Sequence, residues 1–192
     1  MGKTHEVIDA AMAEWIVRQH VFFVATAPRS DDGHVNCSPK SAATLRVLAP
    51  REIAYVDELG SGIESISHLR ENGRMVIMLC AFEGPPRILR LHGTGKVVAP
   101  SDAGFAALLA RFDGFRTARA ILRLAVTRIA DSCGYGVPLM EFRALRNDTQ
   151  NYVRKSSDAA LRNYLVRHNQ RSIDGLRAMS ADELERAVID RH

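Results

Sequence analysis

Apolar residues recur at helical spacing near the start of the chain. Ile8, Met12 (with Ala11), Trp15 and Ile16 form one stripe and predict an amphipathic helix over residues 5–19. The period then changes. Residues 21–27 are β-branched and aromatic, Pro28 and Ser30-Asp31-Asp32-Gly33 make a turn, and residues 34–38 begin a return strand. Residues 44–48 and 53–56, separated by Ala49-Pro50-Arg51-Glu52, read as a hairpin. Ser61-Gly62-Ile63-Glu64 has the Ser-x-x-Glu form of a capping box, and Ile63, Ile66 and Leu69 continue a short helix to a stop at Asn72-Gly73.

Two long strand-like runs follow, residues 74–82 and 88–98, joined by Glu83-Gly84-Pro85-Pro86 and expected to pair centrally. Residues 101–112 predict a short helix. Residues 120–130 predict the closing strand, although their apolar pattern also suits a helix. Beyond Pro138 the strand signals mostly end. Residues 148–168 read as a polar amphipathic helix, and Ser180-Ala181-Asp182-Glu183 caps a last one. No repeat or low-complexity tract interrupts this order. Six or seven antiparallel strands broken by one short helix and followed by helices give an α+β chain, with a barrel as the way to hide sheet edges.

Composition narrows the class. With 192 residues and 46% hydrophobic content, one core and one main domain are expected. The most apolar runs, residues 75–82 and 120–130, fall well short of the roughly 20 residues a bilayer crossing needs, so no membrane span is predicted. His5, Glu6 and Asp9 stand where a signal peptide would carry an unbroken apolar run, and a cytoplasmic location is expected. Cys37, Cys80 and Cys133 lack CxxC or Cys/His spacing, which argues against a disulfide framework or a metal site. The net charge of +4 is spread along the chain, and with 6% aromatic residues there is no interleaved basic and aromatic face for nucleic acid.

Three local features could carry chemistry. In Asp57-Glu58-Leu59-Gly60-Ser61-Gly62 a strand ends and a helix begins between two glycines, which either makes a simple capped bend or a phosphate seat on unpaired N–H groups. In Asn36-Cys37-Ser38-Pro39-Lys40-Ser41, Ser38 and Lys40 share one side at a strand end that Pro39 closes; Lys40 is either an edge lysine or a point charge for an anion. Arg90 and His92 share a strand face and need solvent, a polar partner or a ligand. No Walker A, GxGxxG or HExxH pattern is present, and nothing pairs His68 with Cys133 as a nucleophile and base.

Taken together and in this order, Val35-Asn36-Cys37-Ser38-Pro39-Lys40, Gly60-Ser61-Gly62-Ile63-Glu64, Phe82-Glu83-Gly84-Pro85-Pro86-Arg87-Ile88-Leu89-Arg90-Leu91-His92-Gly93 and Ser132-Cys133-Gly134-Tyr135-Gly136-Val137-Pro138 resemble the pyridoxamine 5'-phosphate oxidase-like family. The resemblance implies an FMN-binding split barrel over residues 1–140, a helical extension over residues 141–192 packed on the barrel or on a partner, and a homodimer with flavin at the subunit interface. It implies cofactor contacts from Asn36, Ser38, Lys40, Ser41, Gly60, Ser61, Gly62 and Arg90, with the backbone at Val56 and Asp57 along the ring edge. Ser41 stands where the subgroup usually has glycine.

The family's true vitamin B6 oxidases end in a segment bearing tryptophan and arginine. Here the sole tryptophan is Trp15 and the chain ends Ala187-Val188-Ile189-Asp190-Arg191-His192, so that activity is not expected. The implied function is a flavoprotein oxidoreductase acting on a small-molecule substrate or electron donor. The alternatives are a flavin carrier or sensor without turnover, or a barrel holding a deazaflavin or haem. The catalytic group is unassigned, with His92, Tyr135 and Cys133 as the side chains to test for proton donation.

Overall fold

The computed structural model describes residues 2–112 and 117–189. The ends of the chain and the sheet meet first. Strand β1 (Lys3–His5) pairs with the far end of the longest strand, and helix α1 (Ala10–Val17) follows, capped by Asp9, whose carboxylate accepts from the Met12 amide at 2.8 Å. Helix α1 is shorter than its apolar stripe suggests, because His5 is drawn into the sheet and Ile8 packs in the core before the helix begins.

Six further strands build the framework: β2 (Val21–Thr26), β3 (Asn36–Ser41), β4 (Leu45–Ala49), β5 (Glu52–Asp57), β6 (Arg74–Cys80) and β7 (Ile88–Val98). The short helix α2 (Glu64–Glu71) sits between β5 and β6. After β7 come α3 (Phe105–Leu109), β8 (Thr117–Ala118) and β9 (Ala120–Ser132). The antiparallel sheet runs β3-β2-β6-β7-β9-β5-β4. This is a curled sheet of seven strands with short helices, the α+β split barrel. Strand β9 lies between β7 and β5 rather than closing an edge, since its 13 residues are long enough to pair with β7, β5 and β1. The edge strands β3 and β4 are joined by a single 3-10 turn, Ala42–Thr44, and the barrel stays open there.

Alternation along β2 sends Phe22, Val24 and Thr26 inward, where they meet Ile77, Leu91 and Ile129 from neighbouring strands. Helix α2 plugs the barrel with Ile63, Ile66 and Leu69. Burial of such side chains contributes roughly 1.5–3 kcal/mol each. The other face of β5 has its own cluster, in which Ala54, Val56 and Ile121 pack with Phe105 and Phe112. The C-terminal helices are α4 (Asp148–Lys155), α5 (Asp158–His168) and α6 (Ala181–Glu185), and β10 (Val188–Ile189) pairs with β8. Leu165, Met179, Leu184 and Ala187 from this part join the central core cluster. The single helix expected over residues 148–168 is two, because Ser157 accepts from the Ala160 amide and starts α5 anew. Residues 190–192 of the expected C-terminal extension lie outside the described residues. Among the described residues no helix is long and apolar enough to cross a membrane, and no cluster of three or more His, Cys, Asp or Glu could hold a metal.

The central pair β7·β9 depends on one small residue. At the bulge after His92, a Cβ on Gly93 would lie 1.9 Å from the Ala125 carbonyl oxygen, a backbone atom that cannot turn aside. Gly93→Ala is therefore expected to cost roughly 2 kcal/mol in urea unfolding; an unchanged midpoint would contradict the close approach.

Candidate functional site

The open side of the barrel forms a cleft of about 430 Å³ between β3, the end of β5 and the start of α2. Its walls include Asn36, Ser38, Lys40, Ser41, Val56, Asp57, Gly60 and Gly62, so eight of the ten residues singled out in the sequence meet here. Strand β3 explains three of them. It extends through Pro39 to Ser41 rather than ending before the proline, because it is an edge strand with no neighbour needing that missing N–H. Asn36, Ser38 and Lys40 then alternate inward opposite Thr26, Val24 and Phe22.

At the floor, Asp57 is 1% exposed and lies between two cations. Lys40 Nζ donates to its Oδ1 at 2.9 Å, and Arg119 Nε donates to its Oδ2 at 2.7 Å. Burial pushes the Asp57 carboxyl up, but Arg119 and then Lys40 outweigh it and bring it down to about 2. Among these three groups one positive charge is unbalanced, and it is carried on the Lys40 side of a cleft whose lining also includes Glu58 and Glu64. Asp57 occupies one of the three Lys40 donors, and the lysine side chain is one-quarter exposed, so two N–H groups remain for another acceptor.

Arg119, just before β9, is the functional residue that sequence reasoning missed. Its guanidinium also donates to the carbonyls of Gly60 at 2.7 Å and Gly62 at 2.5 Å and to Asn169 Oδ1 at 3.0 Å. Asn169 Nδ2 in turn donates to the Gly60 carbonyl at 3.0 Å. The carbonyls of the Gly60-Ser61-Gly62 turn are thus held toward Arg119 and the C-terminal segment. A lone arginine among small residues, Thr117-Ala118-Arg119-Ala120, and the Asp57-Glu58 pair ending the apolar run of β5 were the available signals.

The helix opening differs from the sequence expectation. Ser61 does not cap α2; the residue before the helix is Ile63, with no side-chain cap. Glu64 Oε2 instead accepts from the Ile63 amide at 2.9 Å, while its Oε1 accepts from the Ile173 amide at 3.3 Å. The chain's own carboxylate therefore stands at the end of α2 that attracts anions. Ser61 is not part of the cleft lining, and its carbonyl accepts from Asn169 at 3.4 Å.

Polar side chains are pre-oriented along the β3 wall. Ser38 Oγ donates to Asn36 Oδ1 at 3.0 Å, and Asn36 Nδ2 donates to Ser65 Oγ at 3.0 Å. Thr26 Oγ1 lies 2.9 Å from Nδ1 of the fully buried His68, whose basicity burial lowers. Arg90 is elsewhere. Cross-strand pairing puts it on the face of Met78, Phe23 and Pro39, opposite the face of Ser38, and its Nη1 donates to Ser132 Oγ at 2.9 Å. His92, Tyr135 and Cys133 also stand outside the cleft lining. Burial, then Arg128 and Arg90, lower the basicity of His92, and Tyr135 is 82% exposed.

In Aspergillus flavus, the pyridoxamine 5'-phosphate oxidase family protein ustO is 42% identical over 142 residues, covering 71% of this chain and 56% of that protein. The chain thus spans about half the length of this curated relative. Among solved structures, HupZ of Group A Streptococcus shares 22% identity with a TM-score of 0.52, covering 65% of this chain and 99% of its own. A protein described as an FAD binding protein from Mycobacterium smegmatis shares 13% identity with a TM-score of 0.48, covering 66% and 96%. The family described as pyridoxamine 5'-phosphate oxidase matches residues 8–133, the stretch that carries β2 to β9 and all of the cleft lining but Thr149, and the chain belongs to that family.

Proposed function

We propose that the protein binds FMN in the cleft between β3, β5 and α2 and acts as an oxidoreductase on a small molecule. The observation that carries this reading is the Lys40–Asp57–Arg119 triad, which leaves a net positive charge and two lysine donors beside hydroxyl and amide groups. Family membership supports a flavin as the occupant. The polar set fits its phosphate and ribityl chain: Lys40 for the charge and the Ser41 hydroxyl as a donor, with the Ser38 and Asn36 oxygens as acceptors for ribityl hydroxyls while their own donors stay on Asn36, Thr26 and Ser65. Because Glu64 stands at the opening of α2, the phosphate is held from the Lys40 and Ser41 side, with Gly60 and Gly62 as close backbone neighbours. The backbone at Val56 and Asp57 borders the ring.

Bound FMN would supply the electron carrier; the chain binds it, orients it and shields it from water. Arg90 faces away from the cleft of its own subunit, so a contact from Arg90 to flavin requires a second copy. The half-buried outer face of Phe23, Met78 and Arg90 suits a homodimer that brings this about. Trp15 lies under the Arg87 guanidinium and outside the cleft lining, so it is not assigned a role at the flavin.

Purified protein incubated with FMN and freed of excess by gel filtration is expected to retain flavin with quenched fluorescence. Protein that elutes without flavin would falsify the reading. Reduction of the bound flavin by NADH or NADPH, followed by reoxidation by an added acceptor, separates an oxidoreductase from a carrier.

A further inference from the structure

Beside the flavin cleft lies a larger chamber of about 990 Å³, and the two share Lys40, Ser41, Thr44, Glu58 and Thr149 in their walls. Its outer wall comes from residues 144–154, beyond the stretch matched to the family. That wall is anchored to the barrel. The Met140 amide donates to the Phe82 carbonyl at 2.9 Å, the Phe142 amide donates to Glu83 Oε1 at 3.0 Å, and the Phe142 ring stacks on His20 with centroids 3.7 Å apart. Val153 of α4 is buried.

The charges in this chamber are unevenly committed. Lys40 is bound to Asp57, whereas Arg146 and Arg154 line the chamber with no acid paired to either among the described residues. Arg154 donates to the neutral Asn151 side chain. Glu58 is the acid of the same wall; with Lys40 given to the flavin phosphate, two arginines against one carboxylate leave a single positive charge. The rest of the lining is mixed, with Val21, Leu145 and Val153 beside the amides of Gln150 and Asn151. A wall of one net positive charge, apolar patches and neutral hydrogen-bonding groups matches a monoanion with an apolar body better than a dianion.

We propose that this chamber is the substrate site and takes a small molecule bearing one carboxylate on an apolar body, paired with an arginine of the 144–154 wall. The assignment as substrate site and the preference over a dianion rest on the flavin reading; the preference for a carboxylate over a neutral amide does not. Calorimetric titration with benzoate, benzamide and phenyl phosphate, on apo-protein and on FMN-loaded protein, tests both. Benzoate is expected to bind about tenfold more tightly than benzamide and, with FMN loaded, more tightly than phenyl phosphate, and Arg146→Ala/Arg154→Ala is expected to remove the preference over benzamide while FMN binding is retained. Equal binding of benzoate and benzamide, a preference for phenyl phosphate in the FMN-loaded protein, or loss of benzoate binding when FMN is loaded would each overturn the proposal. If FMN does not bind at all but the benzoate preference survives in apo-protein and is lost in the variant, the flavin reading fails and the anion site stands.

Discussion

Replacing Arg119 with alanine is expected to lower the stability of the apo-protein by about 4 kcal/mol and its melting temperature by roughly 10 °C. Arg119 is 3% exposed and satisfies the buried Asp57, two carbonyls of the turn before α2 and Asn169 of the C-terminal segment. Without it, Asp57 keeps only Lys40, the Gly62 carbonyl and Asn169 Oδ1 lose this donor, and the Gly60 carbonyl keeps only Asn169. Arg119→Lys restores the charge but not the planar fork that reaches both carbonyls, so it is expected to recover only part of the loss. The same network sets an acid limit. With the Asp57 carboxyl at about 2, below its ordinary value of 3.8, its contribution is fully present above pH 4 and is lost as pH falls toward 2. That contribution is about 2 kcal/mol, and Asp57→Asn is expected to flatten the stability slope in that window. A melting temperature of Arg119→Ala within a degree or two of wild type would show that the network is not what fixes the turn.

The strands were legible because each carries its own alternation. The inward Phe22, Val24 and Thr26 of β2 and the paired runs β6 and β7 need no distant partner to be recognised. Features decided by distant residues were not legible. Strand β1 exists because Lys3–His5 finds the end of β9, with His5 Nε2 2.8 Å from Asp131 Oδ2, a pairing that no local period announces. Ser61 has the right spacing for a cap, yet Asn169 takes its carbonyl and the turn rotates so that Glu64 covers its neighbour's amide instead. The site followed the same rule. Asn36, Ser38 and Lys40 could be placed on one wall from strand alternation alone, whereas Arg119 and Asn169 enter through contacts 50 or more residues away in sequence. Arg90 and Ser38 both sit on strands, but only the register across four strands shows that they face opposite sides.

Lys40→Met is expected to weaken FMN binding by about ten- to a hundredfold while leaving riboflavin binding within about threefold of wild type, measured by quenching of flavin fluorescence. Methionine keeps the length and apolar character of the lysine stem, and Asp57 retains Arg119, so the change removes the mobile charge without unpairing the buried acid. Riboflavin lacks only the phosphate, and the difference between the two ligands isolates the group that Lys40 is proposed to hold. Ser61→Ala is the matched control. Its hydroxyl stood at the centre of the sequence motif, but in the structure only the carbonyl is engaged and the residue is outside the cleft lining. It is expected to leave both affinities unchanged. Should Ser61→Ala lose FMN selectively and Lys40→Met not, the phosphate would belong at the opening of α2, and Glu64 would have to leave the Ile63 amide to admit it. The pair of variants therefore decides whether the anion is held by the strand or by the helix, a choice that the shared motif leaves open and on which the Glu64 contact favours the strand.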